Sequence, residues 1–269
     1  QAFDKPPLFD HRDRKKYFDL PKGLVDIAKS MRTPGGQIGF LLMCGYFKAT
    51  KRFYQPQDFQ ERDIHAVART VGLQNSEFIP DAYAKQTRQR HQKIILDFHG
   101  FTPFAETAGN TLATEIATMA RMHLKPRLIF DRCVDFLIQR RLQVPSAYRL
   151  NDLIRAGLHD RKAELIALMG RHLSDDASVL LDDLFAAPDK QNRYRLTLLK
   201  KLSQSASPSR IKEAVADFEV LSELHDRLAA VLSRLDLGTA GIRYFAGSVL
   251  RSEIFQMQRR DRNDRHIHA

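Results

Sequence analysis

Apolar residues recur every three or four positions along most of the chain, which is the spacing of a helix with one buried face. The clearest such segment begins at Ser207-Pro208, a pair typical of a helix start, and keeps this spacing until Gly238. The longest apolar run, Ile38 to Phe47, is shorter than the roughly 20 residues that a membrane-spanning helix needs. Strand signals are nearly absent, and only the stretch 142–144 hints at one. The pattern therefore predicts an all-α, multi-helix assembly with a long late helix.

Two stretches of the chain repeat the same order of features. Each has an apolar helix, a pair of cations, an apolar residue three positions before a proline, and a second helix closed by Gly-Leu. The first stretch covers residues 38–73 and the second covers residues 128–158. This order is typical of tandem helix-turn-helix-like modules, and it is equally typical of two ordinary helical hairpins.

The balance of charges indicates an anionic partner. Lys and Arg number 43 against 32 Asp and Glu, which gives a formal net charge of +11. Nucleic acid, an acidic membrane surface and an acidic protein would all satisfy this charge. The two cysteines, Cys44 and Cys133, lie far apart inside apolar helical patterns, which argues against a disulfide and a cysteine metal site. A reducing cytoplasm is the compartment that this cysteine usage favours.

Cations, hydroxyl groups and tyrosine gather in several segments, and this mixture is the one that contacts DNA phosphates. A cationic run on a helix is also typical of a solvated face, and a Ser-rich loop before proline is typical of a simple helix cap. Together with the net charge, the clusters favour binding of double-stranded DNA over these alternatives. The predicted DNA-contacting residues are Lys48, Lys51, Arg52, Arg62, Arg88, Arg90, His91, Lys93, Arg140, Arg141, Ser146, Tyr148, Arg149, Arg193, Arg195, Lys200, Lys201, Ser205, Ser209 and Arg210.

Sequence signatures of catalysis are missing from the chain. It has no phosphate-binding glycine loop, no nucleophile elbow and no zinc-protease motif. His266 and His268 with Asp264 have a spacing that could ligate a metal, but near the chain end they are more typical of a frayed helix. We therefore expect no catalytic residue, no metal site and no cofactor in this chain.

A set of short blocks resembles the N-terminal region of Tn3-family transposases, in the order that this family has. The blocks are Lys16–Pro21, Arg32–Pro34, Gly39–Leu42, Gly45–Thr50, Phe59–Ile64, Val67–Ala68, Thr87–His91, Pro126–Phe130, Val134–Leu137, Tyr194–Lys200, Ser203–Ser205 and Gly241–Ala246. They are distributed over most of the chain, so the resemblance does not depend on a single motif.

The resemblance implies that the chain is helical, recognises the terminal inverted repeats of a transposon and serves DNA transposition in the bacterial cytoplasm, at the nucleoid. It also implies that the chemistry belongs to a later RNase H-like domain with an Asp-Asp-Glu metal triad, which this chain lacks. The start at Gln1 and the charged end suggest a piece of a longer protein. We expect DNA-binding modules at residues 1–104 and 105–190, and a basic loop with the long helix at residues 191–269.

Two other roles are compatible with the same sequence features. The chain could be a helical scaffold or dimerisation module that pairs through the long late helix. It could also act as a truncated transposase that competes for transposon ends. A helix-based dimer would form without DNA, whereas a competitor would bind the same ends as the full enzyme.

Overall fold

A computed structural model of the chain describes residues 3–122, 125–186, 194–200 and 207–268. Within these residues it has fourteen α-helices and no β-strand, and the only strand-like pairing is an isolated parallel bridge between Thr102 and Leu142. The all-α prediction is confirmed. The helices are α1 (His11–Phe18), α2 (Lys22–Lys29), α3 (Pro34–Thr50), α4 (Glu61–Thr70), α5 (Lys85–His99), α6 (Glu106–Arg121), α7 (Pro126–Gln139), α8 (Ala147–His172), α9 (Asp175–Asp183), α10 (Arg195–Leu199), α11 (Pro208–Leu235), α12 (Thr239–Arg251), α13 (Ile254–Gln258) and α14 (Arg262–His268).

The chain forms two compact units. The first unit contains Gln1–Glu115 and Pro126–Ile154, and the second contains Ile116–Lys125 and Arg155–Ala269. These bounds differ from the expected DNA-binding modules at residues 1–104, 105–190 and 191–269. Because compactness does not show where a DNA-binding module begins or ends, that division stays a prediction.

Helix α3 is the centre of the first unit. It buries an unbroken run from Ile38 to Phe47, and α1, α2, α4 and α5 all pack against it. A helix that is apolar on all sides is stable only when other helices surround it, which explains this central position. Gly45 lets α1 approach closely, because a Cβ atom there would lie 2.1 Å from Cδ1 of Phe18.

A buried polar group joins three helices of the first unit. The Tyr46 hydroxyl donates to Asp63 Oδ2 at 2.8 Å, and the Arg14 guanidinium lies 3.5 Å from the other carboxylate oxygen. Burial raises the pKa of the Asp63 carboxyl and also raises the pKa of the Tyr46 hydroxyl. A buried carboxylate is costly unless it is paired, so these contacts fix how α1, α3 and α4 pack together.

The two repeated stretches agree in part with the structure. Lys51 directly follows α3 and Arg141 follows α7 by two residues, and both cations adopt the left-handed backbone conformation, with φ of 59° and 53°. The expected helix end at Gly157-Leu158 is wrong, because α8 runs without a break for 26 residues. Gly157 is a contact residue, since a Cβ atom there would lie 2.6 Å from Cγ2 of Ile116.

The long late helix is confirmed as α11, which has 28 residues and starts at the Ser207 cap. Its last turns carry Val231 and Leu235 into the core of the second unit. Its first half is different, because Phe218 there is 69% exposed. None of the helices in the described part of the chain is both long enough and apolar enough to cross a membrane.

Candidate nucleic-acid interface

Helix α5 presents a polar surface that is continuous over more than two turns. Its buried side chains, His91, Ile95 and Leu96, pack into the core of the first unit. On the other side of the helix, positions 85, 86, 89, 90 and 93 are exposed. Steps of one and three residues keep these positions on a single face of a helix. We refer to these five exposed residues in the first part of the helix as the α5 face: Lys85, Gln86, Gln89, Arg90 and Lys93; the exposed Asp97, one turn further on, is not included.

The chemistry of the α5 face suits a DNA groove. Gln can bond an adenine edge with two hydrogen bonds and Arg can do the same with guanine, while Lys neutralises phosphates. The first turn of α5 holds no acidic residue, and its N-cap, Ala84, supplies no side-chain acceptor. The amides at a helix start and the helix dipole both favour an anion, although the exposed Asp81 lies four residues before Lys85.

Sequence reasoning found Arg90 and Lys93 on this face but missed Lys85, Gln86 and Gln89. The signal that could have found them is the alternation of buried and polar positions along α5, read as one helix. A search for cation clusters overlooks glutamine, although glutamine is a base-reading residue.

Two of the predicted contact residues on α5 have hydrogen-bond partners within the chain. The Arg88 guanidinium donates to Gln55 Oε1 at 2.8 Å. His91 is buried, and its Nδ1 lies 2.6 Å from the Tyr83 hydroxyl, which donates the hydrogen bond because the tyrosine stays protonated. Burial raises the pKa of Tyr83 and lowers the pKa of His91 to about 4. We therefore leave His91 out of the proposed contact surface.

The buried, neutral His91 is expected to make stability depend on pH. Its pKa is about 4 in the folded chain against an ordinary 6.5, so the unfolded chain takes up the proton first as the pH falls. The stability present above about pH 6.5 should decline by roughly 1–3 kcal/mol towards pH 4. Urea unfolding across this range measures the decline, which should be smaller in His91→Gln.

His65, exposed on α4, supplies the matched control for this experiment. The His65→Gln variant should follow the wild-type pH profile. Part of the decline should persist in His91→Gln, since burial also lowers the pKa of His268 to about 4. An identical pH profile for wild type and His91→Gln would show that His91 does not cause the decline in stability.

A second group of predicted residues meets at the start of α8. The backbone amide of Val144 donates to Lys51 O at 3.1 Å, which places the ends of α3 and α7 side by side. The Arg141 side chain donates to His99 O at 3.3 Å, at the end of α5. Four of the exposed predicted residues around this junction have long side chains, with Tyr148 at 80%. They are Arg140, Arg141, Tyr148 and Arg149.

The other predicted residues at this junction have partners within the chain. Ser146 accepts from the amide of Arg149 at 3.3 Å, as expected of a helix cap. Lys48 Nζ donates to the carbonyls of Lys16 and Asp19 at 2.8 and 2.7 Å, and Lys51 Nζ donates to Lys48 O at 2.8 Å. Burial, with the Lys48 charge nearby, lowers the pKa of the Lys51 ammonium.

Arg52 is buried, and its Nη2 lies 2.5 Å from Asp4 Oδ1. Arg62 is exposed on α4 and belongs neither to the α5 face nor to the group at the start of α8. The first unit therefore places six predicted residues in two exposed sets, Arg90 and Lys93 on α5 and the four at the start of α8, whereas Arg52 is in an ion pair with the partly exposed Asp4.

The remaining predicted residues belong to the second unit. Ser209 and Arg210 are exposed at the start of α11, where Arg210 pairs with Glu213 at 2.7 Å. Arg195 is exposed on α10, and Lys200 Nζ donates to Ser252 O at 2.8 Å. Outside the described residues lie Arg193, Lys201 and Ser205.

The histidines near the chain end serve packing in the second unit. His266 is buried, and its Nε2 lies 2.7 Å from Asp182 Oδ1, while Arg262 Nη2 pairs with Asp182 Oδ2 at 2.7 Å. These contacts hold α14 as a helix, so the expected fraying is wrong. Among the described residues, no group of three acidic, histidine or cysteine side chains has the arrangement to hold a metal ion.

The family model of DUF4158, a domain of unknown function, matches residues 1–157. The chain belongs to this family. The matched DUF4158 region contains the whole first unit, including the α5 face and the junction at the start of α8. No curated protein matches the chain.

Proposed function

We propose that this DUF4158 chain binds double-stranded DNA through its first unit, as the end-recognising, non-catalytic part of a Tn3-family transposase. The observation that carries the proposal is the α5 face, an exposed row of Lys, Gln and Arg on a helix whose other side is fixed in the core. The sequence blocks support the family assignment, and the DUF4158 domain is commonly found in Tn3-family transposases. Bacterial nucleoid DNA is then the setting in which the chain acts.

In this proposal the two exposed sets of the first unit have different tasks. The α5 face enters the major groove, where its glutamines and arginine read base edges. Arg141 contacts the carbonyl of His99 at the far end of α5, so its cationic set lies about 20 Å along the helix from Lys85. That separation suits contacts to the phosphates that flank the groove. The catalytic metal triad belongs to a later domain, and this chain needs no cofactor to bind DNA.

Selection from random duplexes, followed by fluorescence anisotropy with the selected and a scrambled duplex, tests the proposal. We expect the selected duplex to bind at least tenfold more tightly at physiological salt, and to match the inverted repeat of a transposon. Affinity for both should fall steeply with salt, because phosphate contacts release counterions. Equal affinity for the two duplexes would contradict end recognition, and absence of binding to either would contradict DNA binding itself.

A second candidate function rests on α11. Three apolar side chains in its first half are exposed, Ile211 by 54%, Val215 by 51% and Phe218 by 69%, at a spacing that puts them on one face. This face supports a scaffold or homodimer role. A mass measurement in solution without DNA tests it: a stable dimer that binds no duplex would favour this role over DNA recognition. The third role, a truncated transposase that competes with the full enzyme for transposon ends, would instead show DNA binding by a chain that does not dimerise.

A further inference from the structure

The first residues of the described chain form a strap across the junction at the start of α8. The N-terminal strap consists of Phe3, Asp4 and Lys5. The Phe3 ring lies 3.7 Å from the guanidinium carbon of Arg52 and packs edge-on against Phe130. Lys5 Nζ pairs with Asp58 at 2.6 Å. All three residues of the strap thus contact the first unit, and Phe3 and Asp4 share Arg52 as a partner.

Asp4 is the central contact of the strap. One of its carboxylate oxygens, Oδ1, receives two hydrogen bonds, from Arg52 Nη2 at 2.5 Å and from the amide of Ala147 at 2.9 Å. Ala147 is the first residue of the 26-residue helix α8, so this amide carries the positive end of the helix dipole. The Asp4 side chain itself is 44% exposed. Solvent therefore reaches the Asp4 side chain.

Arg52 gives this place a second feature of an anion site. Its side chain is only 6% exposed, and its Nε–H is buried without any hydrogen-bond partner. A buried cation with an unused donor is costly, because a lost hydrogen bond inside the protein is not replaced by water. A tetrahedral anion has more oxygens than a carboxylate, so it can bond Nη2, Nε and the Ala147 amide together.

The geometry points to a phosphate site that Asp4 occupies in the free protein. We infer that a backbone phosphate of duplex DNA displaces the Asp4 carboxylate from Arg52 and the start of α8, and that the strap is released. This inference rests on the proposed DNA binding. It adds that the Asp4 carboxylate competes with a DNA phosphate for Arg52 and the Ala147 amide, and that this competition lowers the affinity for DNA. It also explains how the buried Arg52 could contact DNA, because release of the strap would expose its guanidinium.

Removing the charge of Asp4 tests the competition. Asp4→Asn keeps the shape of the side chain but weakens its bonds to Arg52, so the full chain should bind a duplex about three- to tenfold more tightly. The slope of log affinity against log salt should steepen by up to about 0.9, because in the wild type the displaced Asp4 carboxylate takes up a counterion that offsets the release at one phosphate contact. The matched control is Asp26→Asn, which changes net charge equally at an exposed position of α2. Adding Arg52→Gln to Asp4→Asn should abolish the gain.

A merely structural strap predicts a different pattern. Asp4→Asn would then lower the melting temperature but bind the duplex no better than Asp26→Asn does. That result would overturn the inference and leave the proposed DNA binding intact. Failure of every form, wild type included, to bind a duplex would instead refute the proposed function.

A fluorescent reporter follows the strap directly and needs no change at Arg52. The chain contains no tryptophan, so Phe3→Trp introduces a single indole over the guanidinium. Duplex binding should shift its emission to longer wavelength as the strap leaves for solvent. An unchanged emission wavelength while anisotropy shows the duplex bound would overturn the inference. Displacement by millimolar inorganic phosphate, but not by duplex, would overturn the assignment of the site to DNA.

Discussion

Replacing Lys85, Arg90 and Lys93 together by glutamine should weaken binding of a cognate duplex by about a hundredfold or more at physiological salt. Each lysine is expected to contact a phosphate and the arginine to contact a base edge. Loss of the phosphate contacts should reduce the salt slope by about one for each lysine. Because glutamine is a good helix former, α5 should stay folded. Fluorescence anisotropy over a range of salt concentrations measures both effects.

The matched control removes three charges from the second unit. Arg234, Arg243 and Arg259 are exposed there, and their replacement by glutamine changes net charge by the same amount. This control variant should lose far less affinity than the α5 variant, because its arginines are not part of the α5 face and would contribute only through net charge. Equal losses in the two variants would show that net charge alone attracts DNA, and would remove the special role of the α5 face.

The helices were predictable because their signals are local. Ser207 and Pro208 precede an apolar repeat, and these neighbours alone determine where α11 begins. Gly157 shows the limit of such signals. A glycine that ends a helix and a glycine that admits another helix look alike in sequence. The partner that distinguishes them, Ile116, is remote along the chain.

The candidate site was predictable only in its overall charge. Counting cations placed Arg52 and Arg90 in one class, yet Arg90 is exposed while Arg52 is buried beside Asp4. The separation of Asp4 and Arg52 is 48 residues, so no local pattern relates them. Exposure decides whether a cation can meet a phosphate, and exposure is a property of tertiary packing.

The packing that positions these groups depends on Gly45, and Gly45→Ala should destabilise the first unit by about 1–3 kcal/mol. An added Cβ would lie 2.1 Å from Cδ1 and 2.2 Å from Cε1 of Phe18, so α1 and α3 would have to separate. Gly109→Ala on α6 is the control, because its nearest contact, Cζ of Phe104, is 3.9 Å away. That variant should be neutral or more stable, since alanine favours a helix. Urea unfolding compares the two.

A smaller side chain at position 18, which faces Gly45, should restore part of the stability lost in Gly45→Ala. Phe18→Leu in the Gly45→Ala background is expected to recover stability, a coupling that a double-mutant cycle measures. Wild-type stability of Gly45→Ala would mean that α1 moves away without cost and does not belong to the rigid core. Because α5 packs on the same central helix, the variants also separate stability from recognition. Gly45→Ala should bind DNA in proportion to its folded fraction, whereas the α5 variant should be fully folded and still bind poorly.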